Sequence, residues 1–142
     1  MSGFIISNKN IDVDVWTDCF EGTWVKNEDI VDEFYVHRKT INKFMNDKIF
    51  SKRKEAFIVL EGVILNKQEI LSTNEKNSLE EYILNNKSKV FFNEFRGTFS
   101  GACYSVEEKK WIVYTNHVGD KPVFYYCKDD IFVASTSLLA LV

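Results

Sequence analysis

Short runs of apolar residues, many alternating with polar ones, recur along this chain and predict strands. The first is GFIIS at Gly3–Ser7, followed by EFYV at 33–36 and the wholly apolar AFIVL at 56–60. After Glu61 and Gly62 comes VILN, whose neighbour NKQEIL at 66–71 starts a short helix. NSLEEYILNN at 77–86 predicts a helix in which Asn77 or Ser78 caps the first turn and Leu79, Tyr82 and Ile83 share one face. A second helical stretch, 87–95, is expected to end before Gly97. From there the pattern becomes two hairpins: GTFSGACYS and WIVYTN flank VEEKK, and PVFYYC and IFVAST flank KDD. Pro122 stands at a strand start, where its missing N–H does no harm, and Tyr125-Tyr126 is expected to turn one ring to the core. Strands, a helical middle and more strands indicate an α+β layered fold.

Composition narrows this picture. The 142 residues suit a single domain over 1–142, and twelve phenylalanines promise an aromatic interior. One proline and six glycines leave no room for a flexible linker. With 18 basic against 21 acidic residues the net charge is −3, so no global field gathers nucleic acid. The one dense basic cluster, Lys48, Lys52, Arg53 and Lys54, lacks interleaved aromatics and reads as a solvated loop. Cys19, Cys103 and Cys127 are odd in number and show no CxxC spacing, which argues for buried thiols in a reducing compartment and against a metal site. His37 and His117 have no third ligand near them in sequence and read as ordinary satisfied or exposed histidines. No run is long enough to span a membrane, and no secretory signal opens the chain, so a cytoplasmic location without membrane contact is expected.

The last third of the chain carries a resemblance. Arg96, Gly97 and Phe99, then Gly119, Lys121, Pro122, Tyr125 and Tyr126, then Ala134, Ser135 and Leu141 keep a recurring order and spacing. In this the chain resembles the class II glutamine amidotransferase domain of asparagine synthetase-type proteins. MSGFIIS is similar to that family's Met-Cys-Gly-Ile start, and Gly62, Ile64 and Asn66 hold places in its Phe-Asn-Gly-Glu-Ile-Tyr-Asn segment. The region from Asn8 to Lys54 is shorter than the family's and less similar to it. The resemblance implies an N-terminal nucleophile hydrolase-like fold, a four-layer αββα sandwich of two antiparallel sheets.

It also implies where chemistry would sit. In the family an N-terminal Cys attacks the glutamine side-chain amide, its own α-amine moves the proton, and ammonia passes to an ATP-dependent synthetase domain. For this chain no cofactor or metal is expected. Here Ser2 stands at the nucleophile position, and a serine hydroxyl is the poorer nucleophile near neutral pH. The oxyanion hole, an Asn amide and the next Gly N–H in the family, falls on Glu61 and Gly62. An ionised Glu accepts hydrogen bonds and donates none. The family's substrate-binding Glu and Asp fall on Val63 and Asn116. No counterpart of the carboxylate-binding Arg stands out, since Arg38 reads as a surface residue.

Three readings compete. The leading one is a catalytically inactive amidotransferase-like domain that docks a synthetase-like protein, in cis if the chain is a fragment or in trans if it is not; a homodimer joined through the apolar SLLALV tail is also compatible. The second is a divergent serine N-terminal amide hydrolase using Ser2, Gly62, Asn66 and Asn116. The third is a sandwich whose former glutamine pocket holds a small ligand.

Overall fold

Gly3–Ser7 forms the first strand, β1, and all five of its residues are buried. In the computed structural model the described residues are 3–9, 24–87, 90–116, 119 and 121–136. Ser2, Cys19, His117 and the SLLALV tail, residues 137–142, lie outside them, as do the readings placed on them. The chain divides into two compact units, one formed by Met1–Lys43 with Pro122–Val142 and the other by Phe44–Lys121.

The first unit holds a five-stranded antiparallel sheet in the order β2-β3-β1-β9-β8. Here β2 is Trp24–Val31, β3 is Phe34–Ile41, β8 is Phe124–Lys128 and β9 is Ile131–Ser135. β1 sits in the centre, with Phe4 opposite Arg38 on one side and Ile5 opposite Ser135 on the other. The KDD turn appears where the sequence places it: Asp129 and Asp130 have φ 53° and 65°, the left-handed pair that a two-residue hairpin loop requires. β8 is an exposed edge, and both rings of Tyr125-Tyr126 face outward rather than one turning to the core; Tyr125 is 75% exposed. Cys127 is exposed on the same strand, against the expectation of a buried thiol.

The second unit holds a four-stranded antiparallel sheet, β4-β5-β6-β7, formed by Ile49–Lys52, Ala56–Ile64, Gly97–Ser105 and Lys110–Thr115. Two α-helices, α1 at Lys67–Thr73 and α2 at Leu79–Asn85, pack with one face of it. Ile58, Leu60 and Ile64 from β5 meet Leu79, Tyr82 and Ile83 from α2 and the rings of Phe91, Phe95, Phe99 and Tyr114. Ser78 is the α2 cap: its hydroxyl accepts from the Glu81 N–H at 3.2 Å, while the Glu81 carboxylate accepts from the Asn77 N–H at 3.1 Å. The helix expected over 87–95 shrinks to a 3-10 turn, Phe91–Glu94, whose value lies in placing Phe91 in the core. Of the basic cluster, Lys48, Arg53 and Lys54 lie in connecting segments and Lys52 to Lys54 are exposed, as expected, while Lys52 ends β4 and Arg53 is held by Glu80 of α2 at 2.6 and 3.0 Å. The protein is therefore an α+β fold with two antiparallel sheets, as the sequence pattern anticipates.

Candidate functional site

The second sheet gathers most of the family-derived positions at one end. β5 runs unbroken through Glu61, Gly62 and Val63, but Gly62 has φ +111°. A Cβ there would lie 2.1 Å from the Thr98 carbonyl oxygen, so only glycine fits. Gly97, with φ +144°, meets the Val63 carbonyl oxygen in the same way from β6. These two glycines let β5 and β6 approach where side chains would hold them apart.

Glu61 is 3% exposed and stands opposite Ser100, itself buried. Strand alternation puts it on the face of Val59 and Ala102, away from the helix-covered core. Val63 is half-buried opposite Thr98. Asn116 follows the end of β7 and is 6% exposed. Its backbone N–H donates to Phe99 at 3.1 Å, and Phe99 is the β6 residue opposite Gly62. Gly62, Phe99 and Asn116 therefore form one row across three strands. The Asn116 side-chain amide donates to the Gly97 carbonyl at 3.0 Å, and the Asn116 backbone carbonyl accepts from the Gly119 N–H at 3.1 Å. Asn116 closes the sheet end as a structural clamp.

Asn66 has a comparable duty. Its Nδ2 donates to the Glu94 carbonyl and its Oδ1 accepts from the Arg96 N–H, both at 2.8 Å. Beside them the Leu65 N–H donates to Arg96 at 2.6 Å. Asn66 thus ties the entry of α1 to the entry of β6.

In the first unit the start of β1 is fixed from both sides. A Cβ at Gly3 would lie 1.7 Å from the Thr136 hydroxyl oxygen, and that hydroxyl accepts from the Phe4 N–H at 3.0 Å. Across β3, Gly3 faces Lys39 and Phe4 faces Arg38. Arg38 is not a surface residue: it is 7% exposed and donates from Nε to Asn27 at 3.0 Å. Lys39 is equally buried, its ammonium 4.7 Å from the centre of the Trp24 ring. Sequence reading missed this pair of buried cations beside β1. No sequence signal marks them, since their burial comes from the pairing of β3 with β1 and β2.

His37, between Val36 and Arg38, lies opposite Glu28 with Nδ1 3.6 Å from the carboxylate. Burial lowers its pKa, and the Glu28 charge only partly opposes this. Among the described residues no three His, Cys, Asp or Glu side chains gather as a metal ion would need, and no helix is long and apolar enough to cross a membrane.

Comparison with known families places the chain. The pattern that defines the glutamine amidotransferase domain matches residues 45–142, and the chain belongs to that family. Glu61, Gly62, Val63 and Asn116 fall inside the matched stretch, while Ser2 and Arg38 precede it. No curated protein matches the chain.

Proposed function

We propose that this is a glutaminase-inactive, class II (asparagine synthetase-type) amidotransferase-like domain that serves as a scaffold or docking unit for an ATP-dependent synthetase-like partner in cis or in trans. The observation that carries this reading is the Glu61-Gly62 pair: Gly62 has φ +111°, and beside it, where the resemblance puts the family's donor Asn, stands a buried Glu side chain. Loss of one oxyanion donor costs about 3 to 4 kcal/mol of transition-state stabilisation, and an ionised carboxylate adds repulsion to a developing oxyanion. The position of the ammonium-binding Asp is taken by Asn116, whose amide is bonded to Gly97.

The serine-hydrolase alternative needs Asn66 or Asn116 as a donor, and each side-chain amide has one of its two N–H groups committed to a backbone carbonyl. The test is ammonia release from glutamine by the purified chain, paired with affinity capture of a synthetase-like protein. No release above a heat-denatured control is expected. Release that scales with protein concentration would overturn the reading.

A further inference from the structure

Apart from the sheet end just described, the second unit contains a cavity of about 440 Å³ between α1 and the start of α2. That volume lies within the range of small-molecule sites. Lys67, Lys76, Asn46, Gln68 and Asn77 line it above buried Leu79, and its lining contains no acidic residue. The polar side chains lining it are two ammonium ions, three carboxamides and the hydroxyls of Ser72 and Ser78, all able to donate hydrogen bonds.

Both lysines are placed by identifiable interactions. The Lys67 ammonium is fixed by Asp47 at 2.7 Å, in a pair with both side chains mostly covered. An ammonium carries three protons, so it has donors left for a ligand. Lys76 is positioned through its backbone. α1 ends in a Schellman arrangement in which the Lys76 N–H donates to Leu71 at 2.9 Å and the Glu75 N–H donates to Ser72 at 3.4 Å. Glu75 takes the left-handed position with φ 55°, where glycine is usual. Asn74 reinforces the stop, with both its backbone N–H and its Nδ2 donating to the Ile70 carbonyl. On the far side the reciprocal Ser78 and Glu81 cap fixes the α2 entry. The walls are thus held before any ligand arrives, which lowers the entropy cost of binding. The Lys76 side chain makes no ion pair among the described residues, so with Asp47 set against Lys67 the cavity keeps a positive balance.

We propose that this cavity is a binding site for a small anion, a carboxylate or phosphate monoester whose charge sits between Lys67 and Lys76 and whose body rests on Leu79. The site is independent of the amidotransferase reading, since none of its residues belongs to the Glu61 to Asn116 end of the sheet.

The experiment follows backbone amide resonances of the full chain during titration with inorganic phosphate and, separately, with succinate, at constant ionic strength. Saturable shifts confined to residues 67–79 are expected with at least one probe, and which probe saturates assigns phosphate or carboxylate. Lys76→Glu, which leaves the Schellman N–H in place, should weaken binding at least tenfold while the remaining resonances stay put. Unsaturable shifts spread over all lysine-rich surfaces, or equal binding by the Lys76→Glu variant, would overturn the proposal.

Discussion

Replacing Tyr114 by Phe should make this protein more stable. The residue is 4% exposed, and its hydroxyl finds no hydrogen-bond partner among the described residues. Its ring is well placed, stacked on Phe92 at 4.9 Å and edge-on to Phe91 at 5.3 Å, so the aromatic body packs while the polar tip does not. The tip occupies the space over Gly101, where a Cβ would lie 2.5 Å from the hydroxyl oxygen. Burial pushes the phenol far above its ordinary pKa, so the group is neutral and what is lost is the hydration of one hydroxyl. An unsatisfied buried hydroxyl costs about 1 to 3 kcal/mol. Deleting the oxygen leaves a void of about 15 Å³, worth about 0.4 kcal/mol at the cavity cost of large-to-small substitutions. The balance is a stabilisation of about 1 kcal/mol, or a rise of about 2 to 4 °C in Tm for a chain of this size. Urea midpoints and thermal melts of wild type and Tyr114→Phe provide the assay. A companion Gly101→Ala should be destabilising, and Tyr114→Phe should recover only part of the loss, because the ring Cζ at 2.6 Å and the Val59 carbonyl at 2.8 Å still oppose the new methyl. A loss of 1 kcal/mol or more on Tyr114→Phe would refute the reasoning by showing that the hydroxyl is bonded in solution.

Gly62→Ala should destabilise by about 3 kcal/mol, because φ +111° is strained for any L side chain and the Cβ meets the Thr98 carbonyl; an unchanged urea midpoint would show that the bend is absent. Ser2→Cys alone should leave ammonia release from glutamine undetectable, with removal of Met1 checked by mass, because groups that act as a unit do not return singly; measurable turnover would mean that Glu61 and Asn116 do not hold the positions assigned to them. His37 should make the fold acid-sensitive. Its folded pKa lies below the ordinary 6.5, so its full contribution is present above pH 6.5 and is lost as pH falls from there through the folded value, where the unfolded chain binds the proton first. Urea midpoints from pH 8 to 5 should fall less steeply in His37→Gln than in wild type, and identical slopes would count against the assignment.

The elements most readily read from the sequence are those whose cause is local. β1 and the strand Gly97–Ser105 appear at the bounds their apolar runs suggest, the Ser78 cap and the Leu79, Tyr82, Ile83 face define α2, and the KDD turn forms because Asp tolerates positive φ. Motif order alone is what assigns Glu61, Gly62 and Asn116 to site positions. What stayed hidden depends on pairing between distant residues. β2, WVKNEDIV, carries too many polar residues to read as a strand, and it exists because all eight of its residues register against β3. The Lys48 to Lys54 cluster is largely solvated, as its charge suggests, but the edge strand Ile49–Lys52 within it was hidden, because it exists only through pairing such as Phe50 opposite Val59. Arg38 looked exposed because composition puts arginines outside, and only the β1-β3-β2 row of Phe4, Arg38 and Asn27 buries it. The two C-terminal hairpins are similar in pattern, yet β6-β7 pairs with β5 while β9 pairs with β1 at the opposite end of the chain. Side-chain periodicity reports which face of a strand is covered and carries no information about which strand lies beside it, so that choice belongs to the tertiary structure alone.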